Sequence, residues 1–145
     1  WKFAEYEMRG VPLRLEIGPK DLEKRSVFSA RRDTKAKAPL PMDGLAGHVR
    51  TLLDEIQANL LARARAFRES HTSTAATWNE FTETMAGRPG FVIAPWCETD
   101  DCEAVIKAET QATIRNIPFG STAPTGSCVK CGKPAVVNAW FAKAY

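Results

Sequence analysis

The sequence has 145 residues, 44% of them hydrophobic, which is enough for one ordinary domain or two small ones and too apolar for wholesale disorder. Its 20 Lys and Arg against 17 Asp and Glu leave a formal charge of +3, too weak a bias to identify a nucleic-acid or membrane-surface protein by charge alone. No apolar run approaches membrane length and no signal-peptide pattern opens the chain, so a soluble cytoplasmic protein is expected, and a first residue of Trp1 in place of Met reads as the tail of something longer.

Residues 1–9 are expected to form a helix closed by Gly10, with Phe3 and Glu7, four apart, on one face. Residues 11–17 alternate, with Leu13, Leu15 and Ile17 on one side and Arg14 and Glu16 on the other. This is the pattern of a half-buried strand whose Arg14 faces outward. Gly18-Pro19-Lys20-Asp21 reads as a turn into a short polar helix, Pro19 suiting its first position and Asp21 complementing the helix dipole. A strand over 26–32, a basic loop from Arg31 through Lys35 to Lys37, and a third strand over 38–42 make a hairpin. Val49, Leu52, Leu53, Ile56, Leu60, Ala64 and Phe67 then recur at helical spacing, predicting one long helix from Asp43 to about His71 that covers the sheet.

The polar stretch 72–77 is expected to link a first domain at 1–71 to a second at 78–145. The second domain should begin with a short helix over 79–85 and a turn at Gly87-Arg88-Pro89-Gly90. An apolar strand over 91–96 then delivers Cys97, a helix runs from Cys102 to about Arg115, and a loop over 118–126 leads to Cys128, Cys131 and a last strand reaching Tyr145.

Cys97, Cys102, Cys128 and Cys131 are the only cysteines, spaced C-x4-C and C-x2-C-G. Two thiol pairs separated by one element can bring four soft ligands to a tetrahedral centre, the closed geometry that structural Zn²⁺ accepts. Gly132 suits a tight turn in which backbone N–H groups point at sulfur. Disulfides and a redox C-x-x-C at Cys128 and Cys131 are the competing readings. The redox one expects a helix to start at the motif, whereas Gly132-Lys133-Pro134 breaks one. A closed metal centre is silent on function.

His48 and His71 lie far from the cysteines in sequence, and the chain has no Gly-rich phosphate loop, nucleophile elbow or H-E-x-x-H, so no catalytic centre can be assembled from it. Phe3, Glu7, Arg14, Lys20, Asp21 and Lys35 offer an aromatic face, two carboxylates and three cations, a set able to stack an unpaired base and hydrogen-bond its edge. On spacing alone they are equally an ordinary solvated surface.

The stretch WKFAEYEMRGVPLRLEIGPKDLEK resembles the anticodon-binding domain of prolyl-tRNA synthetases of the archaeal/eukaryote-like type. CETDDCEAVIKAETQATIRNIPF followed by CVKCGKP, and the ending FAKAY, resemble that family's C-terminal zinc domain and terminal tyrosine. The resemblance implies an α/β (α+β) fold: a class IIa anticodon domain of mixed sheet and flanking helices, lacking its first strands and helix, and then a small α+β zinc domain. It implies that Phe3, Glu7, Arg14, Lys20, Asp21 and Lys35 read the two guanines shared by proline anticodons and that Cys97, Cys102, Cys128 and Cys131 hold structural zinc. It also implies that Tyr145 reaches toward the catalytic domain. Proline activation with ATP and Mg²⁺ would belong to that catalytic domain, absent here, in a homodimeric parent acting on tRNA(Pro). The alternative is an independent zinc-ribbon module binding RNA or protein.

Overall fold

A computed structural model describes residues 1–87, 90–120, 124 and 126–143. The chain divides into two compact units, Trp1–Ala66 and Phe67–Tyr145.

The first unit contains α1 (Lys2–Met8), β1 (Leu13–Glu16), α2 (Pro19–Glu23), β2 (Ser26–Arg31), β3 (Lys37–Pro41) and most of α3 (Leu45–Ser70), which runs on into the second. Its sheet is antiparallel in the order β1-β2-β3, with Arg14 opposite Ala30 and Ser29 opposite Ala38. Helix α1 stops where Gly10 allows it. Gly10 N–H bonds to Glu7 O and Val11 N–H to Tyr6 O, a pairing that needs a left-handed residue between them, and Gly10 has φ +98°. Val27, Ser29 and Ala30 of the central strand are buried, as is Ile56 of α3, and the buried Ser29 hydroxyl donates to Ala38 O at 2.7 Å.

The alternation in β1 is real, and its Leu13–Leu15 face shares its side of the sheet with the buried Val27 and Ser29 of β2, but the opposite face is not open either. Helix α1 lies on the Arg14 face, so the Arg14 side chain is 21% exposed while Leu15 and Ile17 are 38% and 60% exposed. Periodicity finds two faces of a strand without saying which is covered, and here the aromatic α1 covers the charged one. The long helix forms as expected over 26 residues, yet Ile56 is its one buried residue among those described. Leu45, Val49 and Leu52 on the same face are half-buried, and Glu55, Asn59 and Arg63 add hydrogen bonds to the end of β2 and the turn after it.

The second unit contains β4 (Thr72–Thr74), α4 (Trp78–Gly87), β5 (Phe91–Trp96), α5 (Asp100–Thr110), β6 (Ala112–Asn116) and β7 (Val137–Lys143), with sheet order β4-β5-β7-β6. Residues 72–74, expected within a linker, pair in parallel with β5. Three residues are too few to show a period, which is why the strand was hidden. The helix expected to reach about Arg115 ends at Thr110 instead. Gln111 adopts a left-handed conformation, and the β-branched pair Thr113 and Ile114 continues as β6 against β7. The core centres on Phe81, Ile106 and Phe141, all fully buried, and Phe81 meets Phe141 edge-on at 5.2 Å. Cys97, Cys102 and Cys128 belong to this same core. Among the described residues no helix is long and apolar enough to cross a membrane.

Candidate nucleic-acid interface and metal centre

In the first unit, α1 and β1 enclose an open, mostly apolar pocket of about 270 Å³ lined by Phe3, Tyr6, Leu13, Arg14, Ala30 and Arg32, among others. The Arg14 guanidinium lies 3.7 Å from the centroid of the Phe3 ring, Phe3 itself remaining 52% exposed. One face of the ring is thus held by a cation, leaving aromatic surface to solvent. Arg14 Nε donates to Glu16 at 2.8 Å and Nη1 reaches Glu7 at 3.5 Å, while Lys35 Nζ donates to the other Glu7 oxygen at 2.7 Å. The Lys35 hydrogen bond holds the Glu7 carboxyl below its ordinary value against the opposing effect of burial, with the charges of Lys35, Arg14 and Arg32 adding to it. Phe3, Glu7, Arg14 and Lys35, drawn from a helix, a strand and a hairpin tip, therefore meet at one surface.

Lys20 and Asp21 do not join them: among the described residues no hydrogen bond or ion pair links either to that group. One Asp21 oxygen accepts from Gly18 N–H at 2.9 Å, capping α2, and Lys20 is exposed in the first turn. Sequence reasoning missed Arg32, whose Nη1 donates to Glu7 O at 2.9 Å and ties the end of α1 to the end of β2. It also missed Asp33, whose side chain is 1% exposed and salt-bridged to Arg31 at 2.9 Å. Both stand in the run Arg31-Arg32-Asp33, read as loop charge. A carboxylate flanked by arginines at a strand end was the available signal for anchoring.

In the second unit the strand end of β5, the first turn of α5 and the turn after Ser127 bring four sulfurs within 4.8 Å of one another. Cys97 and Cys131 Sγ are 3.5 Å apart and Cys102 and Cys128 Sγ 3.6 Å, near the ~3.8 Å edge of a tetrahedron with metal–sulfur bonds of ~2.3 Å. Backbone bonds shape the second knuckle: Cys128 N–H donates to Lys133 O at 2.7 Å and Gly132 N–H to Cys128 O at 3.1 Å. Lys130, between the ligands, donates to Glu109 at 2.6 Å and lies 3.9 Å from the centroid of Trp78, fastening that knuckle to α5 and α4. Burial works against charge on Cys97, yet the hydroxyl and N–H of Thr99 and the neighbouring thiols bring it down to about 6, whereas burial and then Cys128 push the Cys102 thiol far up. Thiols this crowded do not all ionise unaided, and a bound cation makes thiolates of them. The donor set fits a metal ion. Tyr145, expected to dock elsewhere, lies outside the described residues.

Residues 1–52 match the family model of the anticodon binding domain, and residues 78–145 match that of the C-terminal domain of prolyl-tRNA synthetase. The chain thus couples an anticodon-binding domain to a cysteine-bearing C-terminal domain. It is 46% identical over 145 residues to a proline–tRNA ligase of Lachnospira eligens, 47% to one of Acetoanaerobium sticklandii, and 45% over 152 residues to one of Symbiobacterium thermophilum. All of this chain is covered in each case, and it spans about 30% of the length of these curated relatives. The chain belongs to the prolyl-tRNA synthetase family.

Proposed function

We propose that this chain is the tRNA(Pro)-recognising and structural region of a proline–tRNA ligase, and that its first domain reads the anticodon guanines. The observation that carries the reading is the convergence of Phe3, Glu7, Arg14 and Lys35 on one pocket rim within the part that matches the anticodon binding domain. An exposed aromatic face stacks a base, Arg14 donates to guanine O6 and N7, and the Glu7 carboxylate accepts from N1–H and N2–H₂. The ion pairs among Glu7, Arg14 and Lys35 preorganise these groups. Being partly exposed, they exchange for base contacts at small cost. Lys20 and Asp21 lie outside the pocket lining, and a part for them in the same recognition rests on the resemblance of the GPKD turn alone.

Zn²⁺ is the metal that four thiolates in a closed tetrahedron suit, and its role here is structural. The two compact units, Trp1–Ala66 and Phe67–Tyr145, act as the two domains, in place of the expected 1–71 and 78–145. ATP, Mg²⁺, proline activation and the homodimer contacts belong to the remaining length of the ligases this chain matches. The test is fluorescence anisotropy of the chain with a tRNA(Pro) transcript and with a non-cognate tRNA. Preferential binding of tRNA(Pro) is expected, and equal affinity would refute the reading.

A further inference from the structure

Lys35 presents its ammonium from the exposed tip of a hairpin, yet that tip is not left to its own devices. Two residues before it, Asp33 has a side chain only 1% exposed. Its carboxylate receives Arg31 Nε at 3.1 Å and Nη2 at 2.9 Å in a two-pronged bond, and Asn59 Nδ2 at 2.7 Å from α3. Its backbone carbonyl receives Arg63 Nη1 from α3 at 3.1 Å, and Arg31 is itself braced by Glu55 at 2.8 Å. A buried carboxylate is costly unless several donors surround it, and these donors come from β2 on one side and α3 on the other. Their combined effect is to fix where the hairpin turns. From that turn, Lys35 at 68% side-chain exposure and in a left-handed backbone conformation (φ +61°) reaches Glu7 at 2.7 Å.

We propose that Asp33 is a positioning residue for guanine discrimination: it touches no base, being covered, and acts by holding the tip at which Lys35 and Glu7 meet. The proposal rests on the anticodon reading given above. Asp33→Asn preserves shape while replacing one accepting oxygen with a donor that faces the donors of Arg31 and Asn59, so it should loosen the tip without emptying the site.

The experiment measures the affinity of the 145-residue chain for two labelled anticodon stem-loops. One carries the proline anticodon, and the other has both guanines replaced by adenine. The variants are wild type, Lys35→Ala, Asp33→Asn and the double mutant. Asp33→Asn is expected to reduce the guanine-to-adenine preference on the order of tenfold, as a small misplacement of a contacting group does. In the Lys35→Ala background it should reduce the preference no further, because both changes remove the same contact. A purely structural role predicts equal losses for the two loops and multiplicative effects in the double mutant, and either result overturns the proposal, as does an unchanged preference. Should Asp33→Asn fail to fold by circular dichroism, Asn59→Ala, which removes one donor, is measured by the same criteria. Wild-type protein showing no guanine preference would refute the anticodon reading itself, a result distinct from the failure of Asp33 alone.

Discussion

Removing the metal should unfold the second unit and leave the first standing. Three of the four ligands, Cys97, Cys102 and Cys128, are embedded in the core with Phe81, Ile106 and Phe141, so uncoordinated thiols would sit where the packing is densest. Structural zinc binding contributes ~10–16 kcal/mol in small metal-dependent folds, against a typical domain stability of ~5–15 kcal/mol, so its loss is comparable to the whole stability of such a unit. The readout is built in. Trp78, Trp96 and Trp140 all lie in the second unit and Trp96 is 7% exposed, whereas the first unit has only Trp1, already 89% exposed. Chelation should therefore shift tryptophan emission to the red. Helices α4 and α5 supply 21 helical residues against 38 in α1, α2 and α3 together, so roughly a third of the helical dichroism should go with it. Metal-free protein with unshifted emission and full dichroism would refute the reasoning, because the apolar core alone would then hold the unit.

Arg14→Ala should weaken binding of a guanine-bearing anticodon loop by about 1–3 kcal/mol, with little effect on an adenine-substituted loop; equal losses would make Arg14 a backbone contact. Gly90→Ala should cost several kcal/mol by thermal melting, since the added Cβ would fall 2.3 Å from His71 O at a residue with φ +149°; an unchanged melting temperature would contradict it. Arg31 and Asn59 hold the Asp33 carboxyl well below its ordinary 3.8, so its stabilising contribution is present above that value and is lost as pH falls beneath it toward the folded-state value. Acid titration should accordingly show wild type losing more stability than Asp33→Asn below about pH 4, and parallel curves would refute the linkage.

Helix α1 with its glycine stop, the β2–β3 hairpin, the length of α3 and the meeting of four cysteines were all legible in the sequence, because each rests on local spacing or on ligand chemistry that leaves few alternatives. The failures share a cause. Which face of β1 is covered depends on where α1 folds back, and the register of Thr72–Thr74 depends on β5, so neither is written in its own segment. The end of α5 was misplaced because Gln111 carries no glycine-like signature of a left-handed cap. In the candidate interface, spacing put Phe3 and Glu7 on one helix face and Arg14 on a strand but left them equal to an ordinary solvated surface, and only the family resemblance singled them out. The arginines and the aspartate that hold them in place act across the fold, and in sequence only the aspartate directly after two arginines at a strand end sets them apart from loop charge.

Under the proposed function the pocket rim, and not general positive charge, recognises the anticodon. Titrating isotope-labelled chain with the proline anticodon stem-loop and following its NMR shifts tests this directly. Shifts are expected at Phe3, Glu7, Arg14 and Lys35, and should disappear when the two guanines are replaced by adenine. Shifts scattered over Lys and Arg throughout the chain, or identical for the two loops, would mean that general charge and not the rim binds the anticodon.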